Sequence, residues 1–135
     1  MKKSRVVLDT NILVSALMTP LGNPAKVYKM FFLRMLELVY CEEIIAEYED
    51  VLYRPRLRIP AEAAETILAA IRLYGESVVP ITGTDDLPHE DDRVFFDTAK
   101  SAGAFLITGN TKHYPKASFI HTPTSFLELL TKPSE

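Results

Sequence analysis

Short, unbroken apolar runs alternate along this chain with longer segments of helical period, and that alternation restricts the fold more than any other feature. Val6-Val7-Leu8, Leu38-Val39-Tyr40 and Ala104-Phe105-Leu106-Ile107 are too short for helices and lack the in–out alternation of a half-solvated strand. Runs of this kind suit strands buried on both faces of a parallel sheet. Between them the apolar residues recur at helical spacing. A first helix is expected from Ala25 to Leu36 (Val27, Met30, Phe31, Met35), and a second from Glu42 to Tyr53 (Ile44, Ile45, Tyr48, Val51, Leu52), ended by Pro55. Pro60 opens a third, with Ile67, Leu68, Ile71 and Tyr74 inward and Gly75 as its cap. Asp92 to Ala102 is a fourth, with Phe95, Phe96, Ala99 and Ala102 inward and Gly103 capping. Further strands are expected at Ser77–Ile81, centred on Val78 and Val79, and at Ser118-Phe119-Ile120, before a last helix from Ser125 to Leu130. Helices interposed between strands imply βαβ units. The expectation is one α/β domain over residues 1–135, with helices on both faces of a mostly parallel sheet of four to five strands. A chain of 135 residues can build that core without a disulfide or structural metal.

Ligands of such sheets bind beyond the carboxyl ends of the strands, which directs attention to the residues after each run. Composition removes several classes of function first. The single cysteine, Cys41, excludes an internal disulfide and a multi-cysteine zinc site, and reads as a small buried apolar residue. A chain without disulfides is expected in a reducing cytoplasm. No apolar run reaches the roughly 20 residues of a membrane span, and Asp9 and Asn11 interrupt what resembles a signal peptide at the start. The formal charge of −3 argues against a nucleic-acid binder that works by bulk positive charge. The charge is polarised, however. Most acids fall in two windows, Glu42–Asp50 and Asp85–Asp97, where Arg93 is the one base. Bases gather at Lys2, Lys3 and Arg5, and again at Arg54, Arg56 and Arg58.

Clustered acids repel unless they are solvated, diverge around a helix or meet a cation. Asp9 directly follows the first strand, between two apolar runs. A turn or helix cap is one reading, but a carboxylate so placed is costly to bury without a partner. Glu43 and Glu47 stack on one face of the second helix, where either can be an ordinary solvated acid. Glu90-Asp91-Asp92 precedes the fourth helix, where one acid would satisfy the helix dipole. Asp97 sits in an otherwise apolar stretch and points into a cleft or to solvent. Thr108-Gly109-Asn110 ends the strand that can lie beside the first. Oxygen donors without Cys or paired His suit a hard ion, Mg²⁺ or Mn²⁺. One or two such ions serve phosphodiester hydrolysis. His89, His113 and His121 are dispersed and carry no zinc spacing, although His113 is near enough to the Thr-Gly-Asn turn to reach a substrate.

Taken together, Val7-Leu8-Asp9-Thr10-Asn11-Ile12-Leu13-Val14-Ser15-Ala16 resembles the opening strand and turn of PIN-domain nucleases, in the branch that serves as toxins of toxin–antitoxin systems. Glu43 to Leu52 followed by Arg54-Pro55 resembles the helix bearing that family's acid, which maps to Glu47 rather than Glu43. Asp91 to Ala99 resembles the third acidic motif, with the acid at Asp92, and Leu106-Ile107-Thr108-Gly109-Asn110 resembles the fourth. One residue departs from the pattern: Asn110 stands where the family commonly has Asp. Asp97 is expected to supply the missing carboxylate.

The resemblance implies a PIN-like domain and a Mg²⁺- or Mn²⁺-dependent endoribonuclease. Asp9, Glu47, Asp92 and Asp97 would hold metal, and Thr10, Asn11, Thr108 and Asn110 would orient acids, water or phosphate. Arg54, Arg56, Arg58 and Lys112 would attract the RNA backbone. It also implies a small antitoxin protein as partner, and a homodimer. With its metal acids neutralised the chain becomes slightly positive, so the acidic balance is compatible with an RNA substrate.

Two other classes stay open. A phosphatase of the haloacid-dehalogenase type needs Asp-x-Asp after the first strand, where this chain has Asp9-Thr10-Asn11. A receiver domain needs a phosphorylated Asp after the third strand, where Val78-Val79-Pro80-Ile81 has none. A binding module that keeps the scaffold without catalysis is the other alternative, given Asn110.

Overall fold

Val6, Val7 and Leu8 have no exposed surface: the strand they form, β1 (Ser4–Leu8), has a parallel neighbour on each edge, and its side chains lie within the hydrophobic core on the faces of the sheet. The computed structural model describes residues 3–131, so Lys2 of the amino-terminal base cluster lies outside the described residues. The elements that follow are α1 (Thr10–Met18), α2 (Asn23–Phe32), β2 (Leu36–Tyr40), α3 (Glu42–Leu52), α4 (Ala61–Tyr74) and β3 (Glu76–Ser77). Then come α5 (Arg93–Ala102), β4 (Phe105–Ile107), β5 (Ile120–His121) and α6 (Pro123–Thr131). Short 3-10 turns lie at Pro55–Leu57, Glu90–Asp92 and Thr111–His113.

The five strands form one all-parallel sheet in the order β3-β2-β1-β4-β5, flanked by helices, as the alternation of the sequence requires. Leu8 pairs with Ile107, so the carboxyl ends of β1 and β4 lie side by side. The chain builds outward from β1 through β2 to β3, then returns to add β4 and β5 on the other edge. The strand order therefore reverses between β1 and β4, where a parallel sheet opens a crevice beyond its strand ends. The core beneath includes Leu13, Ile44, Ile45, Tyr48, Phe95, Leu106 and Phe126.

Several boundaries differ from expectation. The first expected helix ends at Phe32. Arg34 takes a left-handed conformation (φ 62°), and Leu36 pairs with Ser4 as the first residue of β2. The third strand is two residues long rather than five. Val78 N–H still donates to the Tyr40 carbonyl (2.9 Å), but Pro80 has no N–H to offer, and Val79 and Ile81 are 94% and 78% exposed. β5 is Ile120–His121, displaced toward the carboxyl side of Ser118-Phe119-Ile120. Gly75 does follow α4, but in extended backbone. A side chain there would meet the Ile71 carbonyl at 2.5 Å and the Leu38 carbonyl at 2.9 Å, so close approach requires the glycine. Gly103 caps α5 in the left-handed conformation (φ 64°), as the sequence leads one to expect. Cys41 is buried. Among the described residues no helix is long and apolar enough to cross a membrane.

Candidate active site

Asp9 is fixed by its backbone before its side chain is considered. Its N–H donates to the Ile107 carbonyl (2.9 Å), extending the β1–β4 ladder, and its carbonyl accepts the Ile12 N–H (2.9 Å), opening α1. It occupies the N-cap position, yet its carboxylate makes no capping bond. The side chain, in a residue 7% exposed, turns instead to two hydroxyls. Thr108 Oγ1 donates to Asp9 Oδ2 at 2.8 Å and the Tyr114 hydroxyl donates to the same oxygen at 3.1 Å. Thr108 is held in turn by β5, through its N–H to the His121 carbonyl (2.9 Å).

Glu47 is half-buried on α3 and accepts a hydrogen bond at Oε2 from the Thr10 hydroxyl. Its neighbour Tyr48 is fully buried, and the Tyr48 hydroxyl donates to the Leu8 carbonyl at 2.5 Å, which ties α3 to the end of β1. Glu43, one turn earlier, is exposed. Asp92 closes the 3-10 turn before α5 and is also half-buried. Its Oδ2 lies 3.3 Å from His113 Nδ1, and His113 Nε2 lies 2.7 Å from Asn110 Nδ2. The His89 ring packs on His113, with centroids 4.3 Å apart.

These groups feel one another. Burial raises the Glu47 carboxyl above its ordinary range, the Thr10 hydrogen bond opposes this, and the charges of Asp9 and Asp92 add to it. Burial and then Asp9 raise Asp92, with His113 and His89 pulling the other way. Burial, followed by the charges of Asp9 and Asp92, pushes the Tyr114 hydroxyl far up, so it remains a donor.

Each of the three carboxylates thus has one oxygen engaged: Asp9 Oδ2, Glu47 Oε2 and Asp92 Oδ2. Among the described residues no hydrogen bond reaches the other oxygen of any of them. Mutual repulsion with free carboxylate lone pairs is the chemistry of a hard divalent cation. As their side chains are placed, no group of three or more His, Cys, Asp or Glu among the described residues is arranged to hold a metal ion. The donors fit such an ion in type and in free oxygens, without being a finished coordination shell.

Asp97, expected as the fourth carboxylate, is not part of this group. It is buried (4% exposed), and its Oδ2 accepts the Gly83 N–H at 3.1 Å, while Arg93 Nη1 stands 3.7 Å from Oδ1. Its position five residues after Asp92 turns it about 140° around the helix, toward the loop before α5. Asn110 does meet the site, through intermediaries. Its side chain contacts His113 and its N–H donates to Thr108 Oγ1 (3.1 Å), so it touches the partners of both Asp92 and Asp9. Asn11 is exposed in the first turn of α1. Arg54 is exposed and pairs with Asp50 (2.8 Å), and Arg56, Arg58 and Lys112 are exposed. Tyr114, Tyr48 and His113 are the contributors that the sequence leaves unassigned. Tyr48 reads as a core residue from its spacing, and His113-Tyr114 signals itself only by closeness to the Thr-Gly-Asn turn.

Comparison with known proteins agrees with this architecture. The chain is 30% identical over 145 residues to the uncharacterized protein MJ1680 of Methanocaldococcus jannaschii, covering 96% of this chain and 94% of that protein. Its fold matches the crystal structure of PAE2754 from Pyrobaculum aerophilum with a TM-score of 0.57 at 16% identity, over 96% of this chain and 91% of the other. Residues 5–112, from β1 to the turn that follows β4, match the PIN domain, and the chain accordingly belongs to this family of nuclease-type domains.

Proposed function

We propose that the chain is a divalent-metal-dependent endoribonuclease that hydrolyses RNA phosphodiester bonds. The observation that supports this best is the meeting of Asp9, Glu47 and Asp92 from three separate elements, each with one oxygen engaged and one without a hydrogen bond. In this reading the three acids hold Mg²⁺ or Mn²⁺. A bound ion of this kind supplies Lewis-acid activation of water and stabilises the charge that builds on phosphate and leaving oxygen. The protein's own part is positional. Thr108 and Tyr114 fix the rotamer of Asp9, Thr10 fixes Glu47, and His113, steadied by Asn110, orients Asp92. Such outer partners orient metal-binding carboxylates and tune their affinity. Arg54, Arg56, Arg58 and Lys112 attract the RNA backbone.

The chain acts in this reading as the toxin of a toxin–antitoxin pair, as a homodimer in the cytoplasm, with a small antitoxin protein as partner. Large apolar side chains at both ends of α2, Met18 and Leu21 before it and Phe32, Leu33 and Met35 at its end, are exposed and available to a protein partner. Purified protein is expected to cleave members of a panel of single-stranded RNAs with Mg²⁺ or Mn²⁺. Chelator and Asp9→Asn should each abolish the cleavage. Metal uptake with no cleavage across the panel would instead favour the non-catalytic binding module, and phosphatase activity insensitive to Glu47→Gln would favour the phosphatase.

A further inference from the structure

We propose that Asp97 and Arg93 are positioning residues: together they clamp the loop that delivers Asp92 and so set the site's affinity for metal. This inference rests on the reading of Asp9, Glu47 and Asp92 as ligands. The segment from Thr82 to Pro88 has no helix or strand to satisfy its backbone, so its polar groups need other partners. Two side chains of α5 provide them. Asp97 Oδ2 accepts the Gly83 N–H, Arg93 Nη1 donates to the Gly83 carbonyl at 3.0 Å, and Arg93 Nη2 donates to the Asp85 carbonyl. The same guanidinium binds both oxygens of Glu90, at 2.7 and 3.0 Å. Lys100 adds two contacts of 3.1 Å to the Asp85 carboxylate.

Two carboxylates stand close to the Cα of Gly83. A Cβ there would stand 2.9 Å from Asp97 Oδ1 and 3.0 Å from Asp85 Oδ1. Asp97 Oδ1 is buried with no hydrogen-bond partner among the described residues, and the Arg93 guanidinium 3.7 Å away is its counter-charge. Asp97 is therefore turned to the loop on one side and to Arg93 on the other. Arg93 is the residue directly after Asp92 and the first of α5, and the Asp92 side chain does not cap that helix end. The clamp holds the loop against the first turn of α5, and Asp92 lies between them. It also accounts for the one base in the acidic window: Arg93 neutralises Glu90 and Asp97 and leaves Asp92 to the site.

The test is Mn²⁺ titration by calorimetry on the full-length chain, with hydrogen exchange at residues 83–92 measured in parallel. Asp97→Ala is expected to weaken Mn²⁺ binding by up to about 10-fold, the lower end of the effect of removing a direct partner of a ligand, because Asp97 acts on Asp92 only through the loop. Exchange across the loop should rise while the rest of the sheet stays protected. Gly83→Ala keeps both carboxylates but forces them off the loop, so it should weaken Mn²⁺ in the same way. Mn²⁺ affinity left intact by Gly83→Ala overturns the clamp. If Asp97→Ala does not fold, Asp97→Asn replaces it, removing the counter-charge of Arg93 at constant shape, with a smaller weakening expected because the amide oxygen still accepts the Gly83 N–H. Mn²⁺ affinity unchanged in these variants, while Asp9→Asn abolishes binding, sinks the clamp alone. A wild-type chain that takes up no Mn²⁺ overturns the metal reading and the inference with it.

Discussion

Two aspartates on one stretch of sequence, Asp92 and Asp97, show what decides a residue's role at this site. Both are acids in a mainly apolar helical pattern, and by sequence both are candidates for metal. Five residues of helix separate them by about 140°, so they cannot face the same point. One meets His113 and the other meets Gly83 and Arg93. The hydroxyls are as important as the acids. Asp9 is nearly buried and depends on Thr108 and Tyr114 for its two donors. Thr108→Val keeps the shape and removes one of them. Losing a hydrogen bond to a buried charge should cost about 1.5–3 kcal/mol of stability, read by urea denaturation. Tyr114→Phe should act in the same direction, and a neutral result for both would mean that Asp9 is not held as described.

Elements are legible where the pattern is local and dense. β1, α3, α5 and β4 lie within a residue or two of their expected bounds, because each carries a full apolar face or run. The short edge strand β3 is less than its composition promises: Val78-Val79-Pro80-Ile81 has strand-like residues, but the proline cannot donate, and beyond it the Ile81 N–H goes to the Ser101 hydroxyl (2.9 Å) rather than to a strand. Glycines at element ends differ in kind. Gly75 is required by two carbonyls closer than 3 Å to where its Cβ would lie, and Gly103 by its left-handed φ, with nothing within 4 Å of its own Cβ position. Gly75→Ala should therefore destabilise by about 1–3 kcal/mol through overpacking, and Gly103→Ala by roughly 1 kcal/mol through backbone strain. Gly109→Ala, with neither problem, should be nearly neutral. Chemical denaturation of the three variants checks the order, and an equal loss at Gly109 would contradict it.

At the scale of the whole molecule, a chain of charge −3 is asked to bind a polyanion. Its bases are segregated: Arg54, Arg56 and Arg58 follow the end of α3, the helix that carries Glu47. RNA affinity measured without divalent ions should fall as salt rises. Replacing the three arginines by glutamine should reduce the slope by roughly 0.7 for each phosphate that is no longer neutralised. An unchanged slope would place the RNA elsewhere. The sequence by itself determined the fold class and the parallel sheet, which follow from local apolar period, and it named the three acids proposed here as ligands, from motifs read in order. Only the tertiary structure decided which donors serve those acids, that Asp97 faces the loop, and that Asn110 acts through His113 and Thr108. Those interactions join residues as far apart as Asp9 and Thr108 or Tyr114, 99 and 105 positions away. Local periodicity shows which way a residue faces on its own element. Which distant residue it meets is decided by strand order, here the reversal between β1 and β4.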